Sequence, residues 1–153
     1  ILMLAVPLHD IGKIKIAESI VSKPGKLEAE EIKIVCTHAE LGYQLLKDSN
    51  RPIIKTAAMV ARDHHEHWDG GGYPRGLKGN AIHVFCRITA LAEVYDYLRC
   101  KNHYKEAWEL EKVLQTIKGQ KGKQFEPRLV DILLANIDKV EGILNANPDP
   151  ELC

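Results

Sequence analysis

The chain has 153 residues, 45% hydrophobic and 27% charged, which is enough apolar material for one domain with a single sizeable core. Lys plus Arg and Asp plus Glu balance at 21 each, which excludes the basic excess that a nucleic-acid polymer requires and leaves a small anion held by a few local cations or a metal. No apolar run is long enough for a membrane span, and Cys36, Cys86, Cys100 and Cys153 form neither a CxxC pair nor a zinc-finger spacing, so they read as reduced thiols of a cytoplasmic protein.

Residues 1–13 read as a helix end running into His9-Asp10-Ile11-Gly12-Lys13, with Gly12 as a local stop because glycine accepts backbone angles that other residues resist. The apolar start has no basic leader and no polar lead-in. It reads as the last turns of a helix that begins upstream, so the chain is expected to be a fragment of a longer protein. Residues 14–27 read as loop around Lys23-Pro24-Gly25-Lys26. From Glu28 to about Lys47, Ile32, Val35, Leu41, Leu45 and Leu46 recur at helical spacing, either in one helix or in two broken at His38-Ala39-Glu40. Pro52 opens the next helix, which carries Ile53, Ala57, Val60 and Ala61 to His64-His65. Six residues between 68 and 83 are Gly or Pro (Gly70, Gly71, Gly72, Pro74, Gly76, Gly79), which predicts an ordered loop with special backbone positions. Helices follow over 84–100 and 106–118, then a Gly/Lys turn at 119–123. Phe125-Glu126-Pro127 opens a last helix with Leu129, Ile132, Leu133, Ile137, Val140 and Ile143 facing inward. No stretch alternates as a strand would, so the expected fold is an all-α, multi-helix domain.

Single histidines say little, but their arrangement here is informative. His9 is followed at once by an acid at an apolar helix end, and His64 and His65 are adjacent at another, flanked by Asp63 and Glu66. Burying such groups without partners is costly, and a divalent metal supplies the partner for mixed nitrogen and carboxylate donors. Neighbours on a helix project about 100° apart, so His64 and His65 serve one ion from either side of a helix end or approach two ions. A carboxylate such as Asp10 can bridge two ions, and two metals roughly 3.5–4 Å apart can share a hydroxide and clamp an in-line displacement at phosphorus. These donors suit Fe, Mn, Zn, Ni or Co better than Mg or Ca. Lys13, three residues beyond Asp10, is either a solvated surface lysine or the cation that neutralises charge on a phosphate oxygen.

His9-Asp10-Ile11-Gly12-Lys13, His38 and the run from His64 through His65-Glu66-His67-Trp68-Asp69-Gly70-Gly71-Gly72-Tyr73-Pro74 resemble the HD-GYP family of the HD superfamily of phosphohydrolases. The likeness continues through Arg75-Gly76-Leu77-Lys78-Gly79, Tyr104-Lys105-Glu106-Ala107-Trp108 and Phe125-Glu126-Pro127, covering about positions 5–135 of one domain, 1–153. It implies an all-α fold that lacks its N-terminal helix or helices here, two or three divalent transition metals with iron or manganese favoured, and hydrolysis of cyclic di-GMP to pGpG or GMP through a metal-bridging hydroxide. His9, Asp10, His38, His64, His65 and Glu93 match the metal ligands, with Asp10 bridging. Lys13 matches the lysine at the scissile phosphate, Lys105 another lysine that contacts ligand phosphate, and Gly72-Tyr73-Pro74 the signature loop that shapes the site and contacts partners. Trp68 and Tyr73 offer rings for stacking on a substrate base, with core packing the other reading for Trp68. The resemblance also implies an upstream sensory or receiver domain.

Three departures bear on activity. The resemblance implies a further metal-binding histidine on a helix upstream of the dyad, and the eight residues before His9 contain none. Glu93 stands where the family has Asp, moving the carboxylate by about a bond length, while Asp96 matches another family acid. Asn102-His103 replaces an Arg-Pro pair, removing a fixed charge. They leave two alternatives: a degenerate, non-catalytic module that binds nucleotide or protein, and a phosphohydrolase for another cyclic dinucleotide.

Overall fold

Proline, glycine and acidic caps divide the chain into nine α-helices among residues 1–100 and 106–147, which the computed structural model describes. Those residues form no strand, only an isolated bridge between Lys121 and Phe125. The expected all-α architecture is the one observed.

Helix α1 (Leu2–Ala5) passes into 3-10 turns at Val6–Leu8 and Ile11–Lys15. The dyad therefore stands on tight turns and not on a continuing α-helix, and the expected loop at 14–27 contains α2 (Glu18–Val21). Helix α3 (Ala29–Cys36) opens on a capping box in which Glu31 accepts from the Glu28 backbone N–H at 2.7 Å. Thr37 separates it from α4 (His38–Leu46), so the segment forms two helices, which leave Ile32 and Leu45 exposed.

Pro52 starts α5 (Pro52–Asp63), whose Ala57, Ala58, Val60 and Ala61 are buried. Small side chains let three backbones meet here. A Cβ on Gly12 would lie 2.0 Å from the His38 carbonyl oxygen, and one on Gly42 would lie 3.2 Å from the Ala61 Cβ. Gly12 has no positive φ. The expectation of an angle-driven stop is thus corrected: Gly12 is required because nothing larger fits between the dyad turn and α4.

Helix α6 (Val84–Arg99) links two cores. Cys86 near its start packs with Val60 and Ile82. Leu91, Tyr95 and Leu98 pack with Val113 and Ile117 of α7 (Leu110–Gly119), Phe125, and Val130 of α8 (Pro127–Ala135). Glu141 of α9 (Ile137–Ala146) accepts from Arg99 Nε at 2.9 Å, from Arg99 Nη2 at 2.6 Å and from the Tyr95 hydroxyl, tying α9 to α6. Helix α7 begins at Leu110, later than expected, with Trp108 packed on the core ahead of it. The last expected helix breaks at Asn136, and its single inward face becomes two short ones: Leu129, Leu133, Ile137 and Val140 pack inward while Ile132 and Ile143 face solvent.

Cys36 and Cys86 are free thiols. No helix among the described residues is long and apolar enough to cross a membrane. Lys105, Tyr104, Asn102, His103 and Cys153 lie outside the described residues.

Candidate metal centre

Four parts of the chain converge on one point. The dyad turn brings His9 and Asp10, the first position of α4 brings His38, the end of α5 brings His64 and His65, and the middle of α6 brings Glu93. Asp10, His38, His64 and His65 each offer a ligand atom within 4.8 Å of the others, and so do His9, His64 and Glu93. His64 is common to both groups.

Backbone carbonyls fix the histidine tautomers. Nδ1 of His9 faces the Val6 oxygen at 2.8 Å, Nδ1 of His38 the Val35 oxygen at 2.7 Å, and Nδ1 of His64 the Val60 oxygen at 2.9 Å. A carbonyl only accepts, so each Nδ1 carries a proton, and the ring in its neutral form presents a bare Nε2 lone pair. Nε2 of His38 and Nε2 of His64 are 3.4 Å apart. Asp10 Oδ1 lies 3.3 Å from the first and 3.9 Å from the second, is buried, and has no hydrogen-bond partner.

Three electron-rich atoms thus face one another with no proton between them. Protonating the rings is opposed by their surroundings. Burial lowers His38, lowers His64 to about 4, and with the neighbouring His64 lowers His65 to about 2. Two nitrogens bound to one ion at about 2.1 Å sit about 3.0–3.4 Å apart at right-angled to tetrahedral geometry, which matches the His38–His64 separation. A divalent cation fits this donor set, and the carbonyl-anchored Nδ1–H groups are the supports that metal-bound histidines require.

Asp10 is the electrostatic hinge of the site. Burial raises its carboxyl, but Lys13, whose Nζ is 2.5 Å from Oδ2, together with His9 and His38, brings it net below the ordinary value. On a 3-10 turn, residues three apart eclipse, so Lys13 still reaches Asp10 without a continuing helix. Burial pushes the Glu93 carboxyl up, against the pull of His9.

A family model described as HD domain matches residues 2–129. The chain belongs to the HD domain family. This HD domain is 45% identical over 145 residues to the 3'3'-cGAMP-specific phosphodiesterase 2 of Vibrio cholerae serotype O1, covering 95% of the chain and 28% of that protein. It is 44% identical over 143 residues to the cyclic di-GMP phosphodiesterase response regulator RpfG of Xanthomonas campestris pv. campestris, covering 94% of the chain and 38% of that protein. The chain therefore spans well under half the length of these curated relatives. A crystal structure of a cyclic GMP-AMP specific phosphodiesterase of V. cholerae matches with a TM-score of 0.67 at 22% identity, over 97% of this chain and 40% of that one, a likeness of fold.

The signature loop folds back onto the centre. Tyr73 donates its backbone N–H to the His65 carbonyl at 3.2 Å, and its ring stacks on His65 with centroids 4.8 Å apart. A Cβ on Gly72 would lie 2.3 Å from the His67 nitrogen, so this position admits only glycine. Trp68 is half-buried under the Arg87 guanidinium, 5.5 Å from its ring, and Arg87 pairs with Glu126 at 2.6 Å. Trp68 thus packs within the fold, and the Tyr73 ring lies against a histidine of the centre.

Asp63 and Glu66, read from sequence as acids in need of a metal, satisfy themselves elsewhere. Asp63 pairs with Arg62 at 3.2 Å and Arg75 at 3.3 Å. Glu66 accepts the backbone N–H groups of Arg75 and Leu77, each at 2.7 Å, and so pins the far side of the signature loop. Sequence gives no signal for that contact, because Glu66 and its partners are nine and eleven residues apart across a turn.

Proposed function

We propose that this HD domain is the catalytic unit of a metal-dependent cyclic dinucleotide phosphodiesterase, with cyclic di-GMP as substrate and pGpG or GMP as product. The observation that carries the reading is the buried Asp10 Oδ1, unpartnered and facing two histidine lone pairs. The centre would be held by Asp10, His38, His64 and His65, with His9 and Glu93 completing a second position through the shared His64. Divalent transition metals suit these donors better than Mg or Ca, and the family resemblance favours iron or manganese among them. Bound there, divalent ions polarise a phosphoryl oxygen and lower the pKa of water to the neutral range.

The chain's own residues do the rest. Asp10 stays ionised and gives one oxygen to each side of the site, Oδ1 towards His38 and His64, Oδ2 towards Lys13 and His9. Lys13 is anchored on Oδ2 and part-exposed, placed to neutralise charge growing on a non-bridging phosphate oxygen. Tyr73 braces His65 from outside. Buried His38 and His64 keep bulk water away from the inner wall.

A second substrate, 3'3'-cGAMP, is favoured by the relative specific for it at 45% identity. A regulatory domain beside this one in a longer protein belongs to the same proposal and is supported by the relative named as a response regulator. The test is incubation of Mn(II)- or Fe(II)-loaded protein with each dinucleotide and chromatography of the products. The reading expects linear dinucleotide or mononucleotide from wild type and none from Asp10→Asn. Loaded wild-type protein that cleaves neither dinucleotide contradicts it and favours a non-catalytic binding module.

A further inference from the structure

Three histidines of the centre are held by backbone carbonyls, and a fourth is not. His9, His38 and His64 lean through Nδ1 on Val6, Val35 and Val60, while among the described residues no hydrogen bond fixes the ring of His65. Rings surround it instead: the His64 centroid lies 4.0 Å away and the Tyr73 centroid 4.8 Å away, the Tyr73 ring inclined by only 25°. His64 has its own anchor in α5, so the orientation of His65 depends on where the signature loop puts Tyr73.

Arg75, two residues beyond Tyr73, ties that loop to the end of α5. Its Nε lies 3.3 Å from Asp63 Oδ1 and its Nη2 donates to Asp63 Oδ2 at 3.4 Å, a fork that engages both oxygens and fixes direction as well as distance. Asp63 is the last residue of α5, is 3% exposed, and immediately precedes His64 and His65. The Arg75 backbone N–H is bound to Glu66, so one loop residue is tied on both sides of the histidine pair. Asp63 also pairs with Arg62, whose guanidinium lies over the ring of Tyr43 in α4, 3.8 Å from its centroid. Arg62 keeps Asp63 paired without Arg75, and the Arg75 arm is the part of this network that serves the loop.

We propose that Arg75 is a positioning residue of the metal centre: by clamping the signature loop to α5 it keeps Tyr73 on His65, and so tightens the hold of Asp10, His38, His64 and His65 on their ion. Groups behind metal-bound histidines set ring orientation and, through it, metal affinity. The other donor group, His9, His64 and Glu93, does not include His65, so Arg75 bears on one ion of the two. The inference rests on the metal centre of the reading above and not on its substrate.

The test titrates metal-free wild type, Arg75→Gln, Arg75→Lys, Tyr73→Leu and Arg75→Gln combined with Tyr73→Leu with Mn(II) by calorimetry, and records the visible spectrum of each with Co(II), which reports ligand geometry. Val130→Ala, in the core far from the loop, serves as a variant that loses stability alone. Loss of a support behind a metal-bound histidine predicts a Kd for one ion raised about tenfold in Arg75→Gln. The Kd of the second ion should move less than twofold, Arg75→Lys should lose less, and the Co(II) spectrum of Arg75→Gln should change. Because Arg75 acts through Tyr73, the combined variant should bind no more weakly than Tyr73→Leu alone. Unchanged affinity in folded Arg75→Gln overturns the inference, as do equal losses at both ions, additive losses in the combined variant, or the same loss in Val130→Ala. Should Arg75→Gln fail to fold, Arg75→Lys, which keeps a charge beside Asp63, decides by the same criteria. Wild-type protein that binds no Mn(II) overturns the metal centre and the inference together, whereas wild-type protein that binds two ions and cleaves neither dinucleotide overturns the phosphodiesterase reading alone.

Discussion

Asp10 carries an oxygen that is buried, lacks a hydrogen-bond partner and faces the bare Nε2 atoms of two rings whose Nδ1 protons are committed to backbone carbonyls. Such a group is stabilised by a cation and by little else. Asp10→Ala should therefore lower turnover by about a hundredfold or more and release bound metal, read by elemental analysis after gel filtration. Unchanged metal content would contradict the assignment. Gly12 is the other residue with a single physical demand on it. Gly12→Ala would drive a methyl into the His38 carbonyl and should cost about 3 kcal/mol, visible as a lower denaturation midpoint. The sequence pointed to Gly12 for the wrong reason, because a close backbone approach leaves no local mark that distinguishes it from a turn.

The signature loop is held at both flanks, by Tyr73 on His65 and by Glu66 on the backbones of Arg75 and Leu77. Charge-assisted bonds from a buried carboxylate are stronger than neutral ones. Glu66→Ala should destabilise the domain by about 2 kcal/mol and make residues 69–78 the first site of limited proteolysis. A digestion pattern like that of wild type would contradict the pinning role. The clustering of the histidines was legible at this scale because their motifs are short and contiguous: His9-Asp10 and His64-His65 come together in the groups that could hold a metal. Glu66, Arg75 and the split at Asn136 were not, since they depend on contacts across turns and on which face of a short helix meets the core.

Across the whole molecule, the centre couples folding to pH. Unfolded histidine takes a proton near pH 6.5, but burial holds His64 at about 4 and His65 at about 2, with His38 also lowered. Below pH 6.5 these histidines bind more protons in the unfolded chain than in the folded one, so their contribution to stability falls as pH falls, opposed in part by the raised carboxyls of Asp63 and Glu93. Metal-free protein should melt at progressively lower temperature from pH 6.5 to pH 4 and change little from these histidines just above 6.5. Differential scanning calorimetry in EDTA tests this, and a Tm that rises on acidification would contradict it. Saturating metal should raise Tm at neutral pH, by about 4 kcal/mol of added stability at a thousandfold excess over Kd. The all-α class was legible from helical periodicity and the absence of alternation. The packing of α6 against two cores was not, because apolar spacing names a buried face without naming its neighbour.

Among the described residues His64 is the donor that both groups share, while Glu93 belongs to one of them. The most direct measurement is the stoichiometry of Mn(II) retained after equilibrium dialysis by wild type, Glu93→Ala and His64→Ala, each checked for folding by circular dichroism. The structure predicts two ions, one ion and none. Two ions retained by folded His64→Ala would contradict the shared centre.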